Sequence, residues 1–284
     1  MTNIDQFESA FRAADKKQFE LLPFTLENVL VVTDLDRADA EPFADEARTL
    51  ISAVAKEHEP KWTVFGADQY ESIDDLASQI DQYAPDLICT YRNLKSPTRS
   101  FNYTLGSYLD IMTQTVVAPV LVLPHPELND RRVPDNTDSV MVMTDHLTGD
   151  NRLVSVAMRL VESGGHIWLT HVEDEQQIQR FLSIVSKIPS LNTESAANDI
   201  RAQMLKEPSD YIESCRSFLE QSDLDVSIKS LVTTGNHLHD YQRLAEEHGV
   251  DLLVINTKDE DQLAMHGLAY PLTVELRNTP LLLL

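Results

Sequence analysis

The sequence predicts an α/β fold of open parallel sheets, laid out as two tandem domains of which the first is abridged. Three observations carry that expectation. Short apolar runs alternate with stretches of helical periodicity, the pattern of βαβ units. One strand-helix-strand segment is written twice: PDLIC at Pro85–Cys89 leads through Gly106 to PVLVL at Pro119–Leu123, and VDLLV at Val250–Val254 leads through Gly267 to PLLLL at Pro280–Leu284. The glycine-to-proline spacing is thirteen residues in both copies of this 284-residue chain, and such a repeat implies two similar domains.

The elements follow in order. Ile4, Phe7, Ala10, Phe11 and Ala14 recur at helical spacing, so residues 4–18 read as a short amphipathic helix. Asn28–Thr33 is a continuous apolar run ending at Asp34, suited to a strand buried on both faces. A helix over 40–57 follows, then a strand at Trp62–Phe65, a helix over 72–83, a strand over 86–91, a helix over 102–115 and a strand over 120–123. Pro124–Asp138 is proline-rich, polar and aperiodic, hence a linker. The second copy opens at Ser139–Thr144 and again ends in aspartate, Asp145. It continues with a helix over 150–163, a strand at His166–Val172, a long polar helical stretch over 173–222 and a strand over 226–232. A helix over 236–248, a strand over 250–256, a helix over 268–277 and a strand over 281–284 complete it. The domains are therefore 28–124 and 139–284, with 1–27 as lead-in and 125–138 as linker. Leu30 and Leu87 are 57 residues apart where Met141 and Leu252 are 111 apart, so the first domain lacks one strand-helix unit. The N-terminal helix is placed over the apolar surface that the missing helix would have covered.

Composition narrows the function. Asp and Glu number 46 against 23 Lys and Arg, a net charge of −23 that repels nucleic acid and anionic membranes. Arg131-Arg132 and Lys16-Lys17 are isolated basic pairs in acidic surroundings. Cys89 and Cys215 read as reduced thiols, with Cys89 filling a core strand, and the N-terminus lacks the charge and apolar run of a signal peptide. A cytoplasmic location is expected, with neither nucleic acid nor membrane as partner.

VLVVTD and VMVMTD, PDLIC and VDLLV, and the stretch Leu105–Pro124 resemble the universal stress proteins, in an order repeated over residues 28–124 and 139–284. The resemblance implies an adenine-nucleotide alpha hydrolase-like domain with a five-stranded parallel sheet, and dimer-like pairing between or within chains. Many members bind ATP through a glycine-x2-glycine-x9-glycine-serine/threonine loop after the fourth strand and the aspartate ending the first. Carried over, the first domain offers Asp34, Asn93, Ser96, Gly106 and Ser107 as cofactor-binding residues, for ATP or AMP. Glycines there let backbone N–H groups approach phosphate at a helix N-terminus. Only the closing Gly-Ser is kept. Asn93 can still turn left-handed, whereas Pro97 removes a backbone donor next to Ser96. In the second domain Val254, Thr257, Gly267 and Leu268 hold the motif positions, and Lys258-Asp259-Glu260-Asp261 sets three carboxylates where phosphates would sit. Any bound anion is therefore expected in the first domain, beside Arg92, Lys95 and Arg99.

The same residues have blander readings. Ser107 caps a helix start, and Asp34 and Asp145 cap the segments that follow them. His237, His239 and Asp240 lack further zinc ligands at a recognisable spacing, so Asn236 reads as an N-cap with solvated histidines. His166 and His171 face opposite sides of their strand. No nucleophile elbow is present, and no other catalytic constellation.

Two functions follow. The first is a non-catalytic universal stress-like protein that acts through a protein partner or self-association, its domains pairing through their final strands as two sheets docked back to back. Leu121–Leu123 would then face Leu281–Leu284. The alternative is a sensor that binds ATP or AMP in the first domain only.

Overall fold

The computed structural model describes residues 17–55, 58–96, 103–129, 131–144, 147–187, 193–257 and 269–284. Nine strands among them hydrogen-bond into one sheet. The first half of the chain supplies β1 (Asn28–Val32), β2 (Lys61–Phe65), β3 (Leu87–Tyr91) and β4 (Val120–Leu123). Its helices are α1 (Arg37–Leu50), α2 (Ser52–Ala55), α3 (Ile73–Tyr83) and α4 (Ser107–Thr115). The second half supplies β5 (Ser139–Thr144), β6 (His166–Asp174), β7 (Ser227–Gly235), β8 (Leu252–Ile255) and β9 (Leu281–Leu283). Between them run α5 (Asn151–Leu160), α6 (Glu175–Val185), α7 (Thr193–Glu220), α8 (His237–Glu247) and α9 (Ala269–Glu275).

The strand order is β2-β1-β3-β4-β9-β8-β5-β6-β7, parallel within each half. At the centre β4 and β9 run antiparallel, with Val120, Leu121 and Val122 opposite Leu283, Leu282 and Leu281. The expectation of two sheets docked back to back is corrected here. The last strand of each half satisfies the backbone edge of the other, and an edge that is hydrogen-bonded needs no second layer to cover it. One apolar cluster runs through both halves, from Val29–Val32 and Ile88 to Val140–Met143 and Leu252–Ile255.

The duplicated PDLIC and VDLLV strings have a common structural meaning. Asp86, just before β3, accepts from the backbone N–H groups of Asn28 and Glu27 at 2.8 and 2.9 Å. Asp251, just before β8, accepts from that of Ser139 at 2.9 Å. Each aspartate thus pins the start of its half's first strand to the start of the neighbouring strand, and its own N–H returns a bond to Asn28 O or Ser139 O.

The abridgement also has a location. β6, the counterpart of β2, is paired on both sides, with β7 outermost over nine residues. β2 is paired with β1 alone, so the unit absent from the first half is the outer strand. The helix expected over 4–18 lies outside the described residues for all but its last two positions, and Lys17 and Gln18 are not helical. The residues that follow it lie against the second half. Phe19 N–H donates to Ser214 Oγ at 3.0 Å and its ring meets Tyr211 and Phe218 edge-on, while Leu22 N–H donates to Ser155 Oγ at 2.9 Å. This stretch therefore packs on α5 and α7, away from the gap beside β2.

Candidate functional site

In an open α/β sheet the ligand crevice lies at the carboxyl ends of the strands, where strand order reverses. In the first half that point falls between β1 and β3. Asp34 follows β1 and Tyr91 ends β3. The Tyr91 hydroxyl donates to the Asp34 carboxylate, and the Asp34 N–H reaches back to the Tyr91 oxygen at 3.1 Å. The other Asp34 oxygen accepts from the Lys95 backbone N–H at 2.8 Å. Burial, followed by the hydrogen bond to Asp34, raises the Tyr91 phenol far above its ordinary pKa, so it is held as the donor. Tyr70 is raised likewise, by burial and then by Asp34, and donates to Thr33 O at 2.9 Å.

The loop after β3 keeps a tight shape without its leading glycines. Asn93 and Lys95 are left-handed, with φ of 62° and 48°, as expected for Asn93. Gly106, at φ 84°, lies so close that an added Cβ would sit 2.7 Å from Asn93 Cα. Asn93 N–H donates to Leu105 O at 2.8 Å, which closes the loop on itself. Ser96 N–H donates to Asn93 O at 3.2 Å. Ser107 is the first residue of α4 and exposed, and the cap position before it is Gly106 with no side-chain bond, so Ser107 is not the cap. Asp34 is not the cap of α1 either; that role belongs to Asp36, which accepts from Ala38 and Asp39 N–H.

Of the three cations expected to receive an anion, two are engaged elsewhere. Arg92 is 4% exposed and turns toward the second half. Its Nε and Nη2 donate to Thr273 O at 3.0 and 2.7 Å, and Nη2 also donates to Leu276 O at 2.7 Å. These carbonyls belong to the last turn of α9 and the residue after it, where a positive charge complements the helix dipole. Burial, with Arg277 as a smaller cause, lowers the Arg92 pKa to about 9, which still leaves it charged at neutral pH. Lys95 Nζ donates to Ala67 O at 2.9 Å and to Tyr70 O, and lies 4.0 Å from the Tyr70 ring centre. Arg99 lies outside the described residues.

Asp34, Asn93, Ser96 and Gly106 are therefore brought together, but around one another. Sequence reasoning missed Tyr91 and Tyr70. The signal was there in part: β1 and β3 are neighbours, so the residues ending them meet at the switch point.

In the second half the switch point falls between β5 and β8. Asp145, Lys258–Asp261 and Gly267 lie outside the described residues. Thr257 donates to Leu284 O through N–H at 3.0 Å and Oγ1 at 2.7 Å, and Asn256 donates to Asp150. Tyr241 donates to Thr144 O at 2.7 Å. Asn236 caps α8 as expected, accepting from His239 N–H at 3.2 Å. His237 is not simply solvated, because its Nε2 meets Val172 O. Both cysteines are free and buried. Among the described residues no helix is long and apolar enough to cross a membrane, and no cluster of metal-ligating side chains forms.

No family model matches the sequence, and no curated protein matches it significantly. Solved structures do match. A universal stress protein from Archaeoglobus fulgidus DSM 4304 aligns over 92% of this chain and 96% of its own, at 12% identity and a TM-score of 0.53. A protein assigned to the universal stress proteins, from Pseudomonas aeruginosa UCBPP-PA14, aligns over 91% and 93%, at 14% identity and a TM-score of 0.51. A functionally unknown protein from Pseudomonas aeruginosa PAO1 aligns over 91% and 92%, at 14% identity and a TM-score of 0.50. Likeness at such identities speaks for the backbone, and with the β1–β3 and β5–β8 switch points it leads to one conclusion: this chain has the universal stress protein fold.

Proposed function

We propose that the chain is a non-catalytic, stress-related protein of two universal-stress-like domains, 28–124 and 139–284, that works in the cytoplasm through contacts with a protein partner or with itself. The observation that supports this reading most is the internal use of Asp34. The carboxylate that would meet a ribose is bonded to the Tyr91 hydroxyl and the Lys95 N–H. A nucleotide entering the β1–β3 crevice would compete with both bonds for the Asp34 carboxylate, and hydrogen bonds to a carboxylate are stronger than neutral ones. It would also find Lys95 and Arg92 already committed to carbonyls.

The alternative, an ATP or AMP sensor in the first domain, draws on the left-handed Asn93 and the close approach of Gly106, a backbone shape suited to phosphate. Calorimetry with ATP or AMP and magnesium separates the two. The non-catalytic reading expects no saturable heat at millimolar nucleotide. Saturable binding that Asp34→Ala abolishes would replace it with the sensor.

A further inference from the structure

Between the linker and the second half lies a crevice of about 680 Å³, within the size range of small-molecule sites. Linker residues Leu128 and Asn129 form one side, Glu246 of α8 another, and Glu275, Arg277 and Asn278 at the end of α9 the third. None of its lining residues belongs to the β1–β3 site. Its chemistry is mixed in a particular way.

Arg277 has no ion pair among the described residues; its Nε makes a 3.3 Å contact with Val274 O. It lies next to Leu276, whose carbonyl accepts from buried Arg92, and Arg92 too is met by carbonyls alone. Two guanidinium groups thus stand close together with no carboxylate paired to either among the described residues, and Arg277, the one that lines the crevice, favours a carboxylate arriving from outside. A simple anion would nonetheless meet Glu246 and Glu275 on the same walls. A simple amine would meet Arg277. A molecule carrying both charges satisfies both sets, and Leu128 beside buried Leu276 gives it an apolar surface.

We propose that this crevice binds a small zwitterion of the α-amino acid or short-peptide class. The ligand carboxylate sits on Arg277, its ammonium group between Glu246 and Glu275, and an apolar side chain against Leu128 and Leu276.

The test is calorimetry of the full chain with L-leucine and with the dipeptide Leu-Gly, and with acetate and methylammonium as half-ligands at equal ionic strength. Saturable heat is expected for leucine or the dipeptide and for neither half-ligand. Arg277→Gln and Glu275→Gln each weaken binding by about ten-fold or more, the loss of one charge-assisted hydrogen bond. Glu246→Gln, at an exposed position that leaves folding intact, weakens binding in the same direction. The proposal falls if neither zwitterion gives saturable heat at millimolar concentration, if acetate or methylammonium binds as well, or if the folded variants bind like the wild type. None of these outcomes depends on whether the β1–β3 crevice takes a nucleotide.

Discussion

Arg92 donates twice to the carbonyl of Thr273, 181 positions later in the chain, at 3.0 and 2.7 Å. One buried charge at the end of β3 closes the C-terminus of a helix in the other half. Arg92→Ala would leave the Thr273 and Leu276 carbonyls buried without donors, at a cost of about 3 kcal/mol. Urea unfolding checks this, and Arg92→Lys, with a point charge in place of a planar fork, should restore only part of the loss.

Tyr91 and Asp34 act as a pair. Tyr91→Phe should cost about 1–2 kcal/mol, because a half-buried carboxylate loses a donor. Asp34→Ala should cost a similar amount, and the double variant clearly less than the sum, as contacting partners do. A double-mutant cycle by chemical denaturation reads this coupling, and strict additivity would break the assignment.

Gly106→Ala tests the loop closure. The added methyl meets Asn93 backbone rather than a movable side chain, at a φ that L-residues rarely adopt. A loss of roughly 2 kcal/mol or more is expected in the melting transition.

Asp251 gives a pH dependence. Burial is the main cause raising its carboxyl above the ordinary range, outweighing the Ser139 N–H that lowers it. A carboxyl whose folded pKa exceeds its unfolded one binds the proton more tightly when folded. Its contribution is then largest below the unfolded pKa and is lost as pH rises through the folded value. Asp251→Asn keeps an acceptor for Ser139 and cannot ionise. The stability of the variant relative to wild type should therefore increase as pH rises from the ordinary carboxylate range toward neutrality, as measured by urea titration at several pH values.

Much of the architecture was legible because apolar runs in a doubly covered sheet declare themselves. Ser139–Thr144 and Val120–Leu123 have the bounds their composition suggested. Helix ends were less legible. The helix expected from 102 begins at Ser107, and the long polar stretch over 173–222 separates into α6 and α7. The site was legible in its backbone and not in its side chains. Asn93 turned left-handed as its type allows, because that depends on the residue itself. Arg92 and Lys95 read as cations awaiting an anion, since nothing local shows that a helix end far along the chain, or the carbonyls of Ala67 and Tyr70, will claim them. That the two final strands meet was legible, but not that they join the halves into one sheet, because two apolar strands carry no mark of whether they will meet edge to edge or face to face.

The antiparallel meeting of β4 and β9 has a geometric result. It points the two switch points toward opposite poles of the molecule, so whatever docks at one pole cannot touch the other. The ladder of valine and leucine pairs between them and the Arg92 clasp beside it lie on the line joining the two ends, so a substitution in the middle of the sheet is placed to be felt at both.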